Sequence, residues 1–131
     1  MTSRSPRLLL VAALSLSVMA CSSAASPTGS VTCVAPVNGV LTLTAASTAF
    51  DAACLALPAG ETTTIALVNN DSEPHDLAIY TDSSRSTQLW AADQIADAGA
   101  TVEYEVPGLD AGTFYFLCTI HPGMNGSVVV E

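Results

Sequence analysis

Beyond its first thirty residues the chain alternates apolar and polar positions in short runs separated by turn residues. Residues 39–44 alternate and are rich in β-formers. Residues 51–57 make a second run, ended by Pro58-Ala59-Gly60. Residues 61–68 make a Thr-rich third, stopped by Asn69-Asn70-Asp71. Further runs follow at 77–80, at 100–106 before Pro107-Gly108, at 112–118 and at 126–130. A period of two over four to eight residues, bounded by Gly, Pro, Asn and Asp, is the pattern of half-buried strands. Residues 88–91 can supply an eighth strand, and only residues 90–98 offer room for a short helical turn. The spacing predicts an all-β, Greek-key sandwich of seven to eight strands. There is no internal repeat.

The N-terminus follows a different pattern. Arg4 and Arg7 precede a mostly apolar run from Leu8 to Ala20. That run is short for a bilayer span and has the length of the apolar region of a secretory signal peptide. It ends Val18-Met19-Ala20-Cys21, followed by a Ser-rich polar stretch. A small residue before Cys in this setting resembles a bacterial lipobox. The resemblance implies cleavage after residue 20 and a lipid on Cys21. The alternative is an ordinary signal peptide cut near Ala24 or Ala25. Either way the remainder is expected to work outside the cytoplasm, on the extracytoplasmic face of a membrane or in a periplasm. Residues 1–20 are thus assigned to the signal, 21–38 to a lipidated tether and linker, and 39–131 to the folded domain.

Length and composition fit one domain with one core: the chain has 131 residues, half of them hydrophobic. It holds three Arg, no Lys and twelve Asp plus Glu. Removal of the signal would leave Arg85 alone against twelve carboxylates. Such a surface excludes nucleic acid as a partner and disfavours anionic headgroups. It suits a soluble monomer that meets a basic or neutral partner. The acidic group Asp71, Glu73 and Asp76 reads as a solvated rim that can also steer such a partner. Trp90, Tyr80, Tyr104 and Tyr115 read as packing residues.

The four cysteines change the picture further. With Cys21 lipidated, Cys33, Cys54 and Cys118 remain, an odd number for an exported protein. Cys33 and Cys54 can form a disulfide, which the compartment permits and which would stabilise the fold by about 3 kcal/mol. Cys118 is then left over. It opens the run Cys118-Thr119-Ile120-His121-Pro122-Gly123-Met124, spaced Cys-x2-His-x2-Met. Pro122-Gly123 forbids a helix, so the run is expected to be a tight loop leaving a strand. His121 and His75 are the chain's only histidines, and Met124 is the only Met after the signal region. Two imidazoles, a thiolate and a weak thioether form the donor set of a trigonal copper site. A buried structural thiol is the simplest reading of Cys118 by itself. A Cys3His zinc site from Cys33, Cys54, Cys118 and His121 is the rival for the group. No close Cys pair of the kind structural zinc sites use is present, which also argues against a redox dithiol.

Residues from Leu41 to Glu131 resemble the cupredoxins, the family of plastocyanin, pseudoazurin and amicyanin. The resemblance is carried by Ala49-Phe50-Asp51, Leu57-Pro58-Ala59-Gly60-Glu61, Val68-Asn69-Asn70-Asp71, Pro74-His75-Asp76, and Gly112-Thr113-Phe114-Tyr115-Phe116-Leu117-Cys118. The short Cys-x2-His-Pro-x-Met loop, closed by Gly126 and a Val-rich last strand, is most similar to amicyanin. The resemblance implies one copper ion held by His75, Cys118 and His121 in the equatorial positions and Met124 in the axial one. It also implies a brace between the residue after the first His and the residue after Cys. The family usually places Asn and Ser or Thr there, whereas this chain has Asp76 and Thr119. Phe114 stands where a Tyr is common. Leu117 stands where plastocyanin exposes a Tyr as a second electron route, which makes the His121 edge the expected exit. The implied activity is one-electron transfer between unidentified redox partners, without enzymatic turnover. Copper binding and delivery is the alternative, and an oxidase would need further His-rich sites.

Overall fold

The computed structural model describes residues 30–131; Cys21, the signal and the first half of the tether lie outside the described residues. Nine strands form two packed sheets, and no helix occurs among the described residues. The strands are β1 Val40–Ala46, β2 Ala49–Phe50, β3 Cys54–Leu57, β4 Thr63–Asn69, β5 Ala78–Tyr80, β6 Gln88–Ala91, β7 Thr101–Val106, β8 Gly112–Leu117 and β9 Asn125–Val130. One sheet runs β2-β1-β4-β7 and the other β3-β9-β8-β5-β6. Both are mixed: β1 pairs parallel with β4, and β3 parallel with β9, while the remaining pairs are antiparallel.

Alternation sets which side chains enter the space between the sheets. In β1, Leu41, Leu43 and Ala45 are fully buried while their neighbours face outward. In β7, Tyr104 and Val106 point in, whereas Thr101, Glu103 and Glu105 are exposed. Opposite them the second sheet contributes Leu55, Ile79, Phe116 and Val128. Burying such side chains is the main stabilising term, roughly 1.5–3 kcal/mol for each large one. Gly126 allows β9 to run close to its neighbours: a Cβ there would collide with the Ala53 carbonyl and the Phe116 ring.

The all-β sandwich expected from the alternation is present. The strand missing from that expectation is β2, whose two residues are too few for a periodic signal. The helical turn allowed at residues 90–98 does not form. Its carbonyls are taken by distant donors: Gln94 O accepts from the Tyr104 hydroxyl, and Ala96 O accepts from His75 N. Its amides are engaged as well, Ala92 N with Leu77 O and Ala96 N with His75 O, and so are not free to donate into a helical ladder.

Residues 33–37 are built onto the sandwich. Val34 N donates to Cys54 O at 2.9 Å and Ala56 N to Val34 O at 2.8 Å, adding a short parallel bridge to the free edge of β3. A Cys33–Cys54 disulfide fixes this strap to the first residue of β3. Cys118 is the free thiol among the described residues.

Candidate metal centre

Cys118 is the first residue after β8, and it is fully buried. The next six residues turn back and enter β9. Met124 N donates to His121 O at 2.8 Å, and Cys118 N donates to Met124 O at 2.9 Å. Asn125 Nδ2 adds bonds to Pro122 O at 3.0 Å and Gly123 O at 3.1 Å. The loop therefore satisfies its own backbone and holds Cys118, His121 and Met124 at one end of the sandwich. Met124 is buried beside Cys118 in the core cluster, whereas His121 is partly exposed.

His75 arrives from the segment between β4 and β5 and is completely buried. Its backbone pairs with Ala96 in both directions, at 3.0 and 2.8 Å. Its Nδ1 lies 3.8 Å from Cys118 Sγ and 3.2 Å from His121 Nδ1, and His121 Nδ1 lies 4.0 Å from the same sulfur. These three donor atoms lie within 4.8 Å of one another, and they form the one such group among the described residues. Donor separations of this size are spanned by metal–ligand bonds of about 2 Å.

Burial raises the Cys118 thiol above its ordinary pKa, opposed by the backbone hydrogen bonds around it. A metal cation reverses that preference, because a coordinating thiol is deprotonated outright. Two imidazoles and one sulfur in a plane, with a thioether nearby, suit copper in both oxidation states. The Cys3His zinc alternative is overturned: Cys33 and Cys54 are consumed by their disulfide and are not in the donor group.

Around the donors lies a polar layer. Asp76 and Thr119 are brought together across forty-three residues. Thr119 N donates to Asp76 Oδ1 at 2.6 Å, and the Thr119 hydroxyl donates to Asp76 Oδ2. Asp71 departs from the solvated rim expected of it. Its Oδ2 sits 3.2 Å from His75 Nε2 and accepts Thr48 N–H at 2.6 Å, and its Oδ1 accepts Ser72 N–H at 2.8 Å. The bonds from Thr48 and Ser72 hold its carboxyl below the usual carboxylate range. Asn69 is fully buried at the end of β4. Its Nδ2 donates to Glu73 O, Ala96 O and Asp97 O at 2.7, 2.8 and 3.1 Å, and its Oδ1 accepts Asp71 N–H at 2.8 Å.

Asn69 and Asp71 were not identifiable as site residues from the sequence. Both belong to an Asn-Asn-Asp turn signal, and the four-residue spacing of Asp71 from His75 fits a solvated carboxylate equally well. Leu117 is 2 % exposed, in keeping with the expectation that this position lacks a second route. Its side chain offers no surface route.

Residues 9–130 match the cupredoxin-like domain family. The chain belongs to that family. No curated protein matches it. Solved structures with a similar fold include auracyanin A, a "blue" copper protein from the green thermophilic photosynthetic bacterium Chloroflexus aurantiacus. It is 21% identical, with a TM-score of 0.62 over 70% of this chain and 98% of that one. The auracyanin of the photosynthetic bacterium Roseiflexus castenholzii is 18% identical, with a TM-score of 0.61 over 73% and 99% of the two chains. Amicyanin from Paracoccus versutus is 23% identical, with a TM-score of 0.53 over 73% and 84%. The likeness to these three is one of fold.

Proposed function

We propose that the chain is a type 1 copper protein that carries single electrons between redox partners outside the cytoplasm. His75, Cys118 and His121 would hold the ion through Nδ1, Sγ and Nδ1, with the buried Met124 thioether as a fourth, weaker donor. The observation that carries this reading is the convergence of these three donor atoms, 3.2 to 4.0 Å apart, at a buried end of the sandwich. Copper, when bound, supplies a one-electron couple between Cu(II) and Cu(I). The chain supplies the rest. The self-bonded 118–124 loop and the braced 69–76 segment keep the donors in one arrangement, so that electron gain and loss require little movement. Burial of His75 and Cys118 excludes water. Thr119 and Asp76 tie the two loops together.

Both histidines converge on one centre. That leaves no imidazole for a second copper and supports a carrier over an oxidase. His121 is the partly exposed ligand, beside exposed Pro122 and Gly123, and is the expected exit for electrons. A signal over residues 1–20, a lipid on Cys21, a tether over 21–38 whose residues 33–37 are strapped to the sandwich, and a domain over 39–131 complete the proposal. They place a monomeric carrier at the outer face of a membrane.

The test is addition of Cu(II) to the purified protein. An intense visible thiolate-to-copper band is expected, and Cys118→Ser should abolish it. A colourless protein that binds zinc tightly overturns the assignment. A carrier keeps its copper through repeated reduction and oxidation, whereas surrender of Cu(I) to an acceptor protein would favour delivery. Gly123 has open space where a side chain would go. Gly123→Glu is therefore expected to slow exchange with a redox partner while leaving the colour intact.

A further inference from the structure

We propose that Asp71 is a positioning residue for His75: its carboxylate fixes the proton on Nε2, turns the Nδ1 lone pair toward Cys118 and His121, and biases the centre toward its oxidised state. This rests on the copper reading above.

The His75 ring is fully buried, so both of its nitrogens need partners inside the protein. Nε2 faces Asp71 Oδ2 at 3.2 Å, and Nδ1 faces the donor group. A carboxylate only accepts, so the pairing requires N–H on Nε2 and leaves Nδ1 as the acceptor or ligand atom. Nδ1 can then receive a hydrogen from His121 Nδ1 at 3.2 Å in the metal-free protein. A carboxylate behind a ligating imidazole fixes its tautomer and makes it a stronger donor. Its negative charge also favours the higher charge of Cu(II). Among the described residues no Arg or Lys bridges to Asp71, whose side chain is only 10% exposed. Its charge is directed at the imidazole.

The fold holds this carboxylate in place at a conformational cost. The turn joining β1 to β2 has Ser47 at φ 52° and Thr48 at φ 56°. Two-residue hairpin turns of this hand favour Asn-Gly, and a β-branched residue at positive φ is strained. That strained turn presents Thr48 N–H to Asp71 Oδ2. Asn69 grips Asp71 from the other side through its backbone N–H. The aspartate is thus fixed by groups unrelated to the donors before it meets His75.

A purely structural Asp71 would brace the turn without touching the couple, and the two roles separate experimentally. Asp71→Asn keeps the size and one acceptor but removes the charge. It is expected to shift the balance about tenfold toward Cu(I), a rise of ~59 mV for one electron. The paired change Ser47→Asn with Thr48→Gly relieves the turn and keeps its N–H. It should stabilise the fold and leave the potential unmoved. In metal-free wild-type protein, long-range proton–nitrogen NMR should find the His75 proton on Nε2, with Nδ1–H form appearing in Asp71→Ala. An unchanged potential in a folded, coloured Asp71→Asn protein overturns the proposal. So does an Nδ1–H tautomer in the wild type, which is readable even if the variant does not fold. If the wild type takes up no copper, the function proposed above fails, and the tautomer measurement still decides the role of Asp71.

Discussion

The loop after β8 brings Cys118, His121 and Met124 to the centre from seven consecutive residues, whereas the loop after β4 brings His75 alone. The first is held by its own backbone, through bonds spanning three to six positions, and by Asn125. The second is held by side chains and by distant segments. Asn69 reaches residues twenty-seven and twenty-eight positions away, and Asp71 reaches Thr48 across twenty-three. The contrast separates two tasks. Donors can be packed into a short motif, because a tight turn places them together. Support for a buried donor must come from whatever packs around it, and that is decided by the whole fold.

Damage to the two loops should therefore read out differently, and the largest effect is expected at Asn69. Its two amide hydrogens serve three carbonyls, and its oxygen serves Asp71 N–H. Asn69→Ala removes four hydrogen bonds, at roughly 1 kcal/mol for each bond lost. Glu73 O and Asp71 N–H lose their partner, while Ala96 O and Asp97 O keep the backbone N–H groups of His75 and Ala100. A loss of about 3 kcal/mol in urea unfolding is expected, with a weakened visible band because His75 is no longer held. Met124→Leu is the counterpart in the other loop. The swap nearly conserves volume and should cost less than about 1.5 kcal/mol. The potential should nonetheless move upward, since the higher oxidation state loses a donor. If Met124→Leu proves the more destabilising of the two, the division of labour between the loops is wrong.

The same division explains how much could be read from the chain alone. The alternation in residues 39–44 and 100–106 follows from burial on one face, which a period of two reports directly. Cys118, His121 and Met124 are legible because their spacing is itself the site. Asp76 and Thr119 were accessible only through resemblance, as their contact spans forty-three residues. Asn69 and Asp71 look like any strand-ending polar turn until the 93–97 segment and the β1–β2 turn are in place. The segment at 90–98 misleads for the same reason: its carbonyls are claimed by Asn69, His75 and Tyr104, none of which is a sequence neighbour.

A smaller effect is expected where the loops touch. Asp76 receives both the N–H and the hydroxyl of Thr119, one at each carboxylate oxygen. Asp76→Asn keeps one acceptor and turns the other into a donor. The hydroxyl can reverse its role to accept, so the contact survives in weaker form. A loss of about 1 kcal/mol is expected in chemical unfolding, since bonds to charged acceptors are stronger than neutral ones. Removal of a nearby negative charge should also move the centre toward Cu(I). A potential that stays put would mean that Asp76 acts on the loops only, leaving Asp71 as the carboxylate that matters electrostatically.

The smallest effect concerns Tyr104, which supports the His75 side from β7. Its hydroxyl donates to Gln94 O at 3.0 Å, and Gln94 stands two residues before the Ala96 that pairs with His75. Burial pushes this phenol from 10.0 up to about 12, and the charges of Asp76, Asp93 and Cys118 add to the rise. A raised value means that the folded chain keeps a proton that the unfolded chain gives up. Tyr104 therefore contributes fully below its unfolded value of about 10, and its contribution falls as pH climbs from there toward 12. A phenolate cannot donate to Gln94, so the bond that steadies the 93–97 segment disappears in the same window. Tyr104→Phe should lower stability by about 1 kcal/mol at neutral pH, the typical net value of one hydrogen bond. It should also flatten the decline between pH 10 and pH 12, followed by urea midpoints across that range. Equal slopes in the two proteins would show that the phenol is not the group titrating there, and that the support of His75 from β7 rests on packing alone.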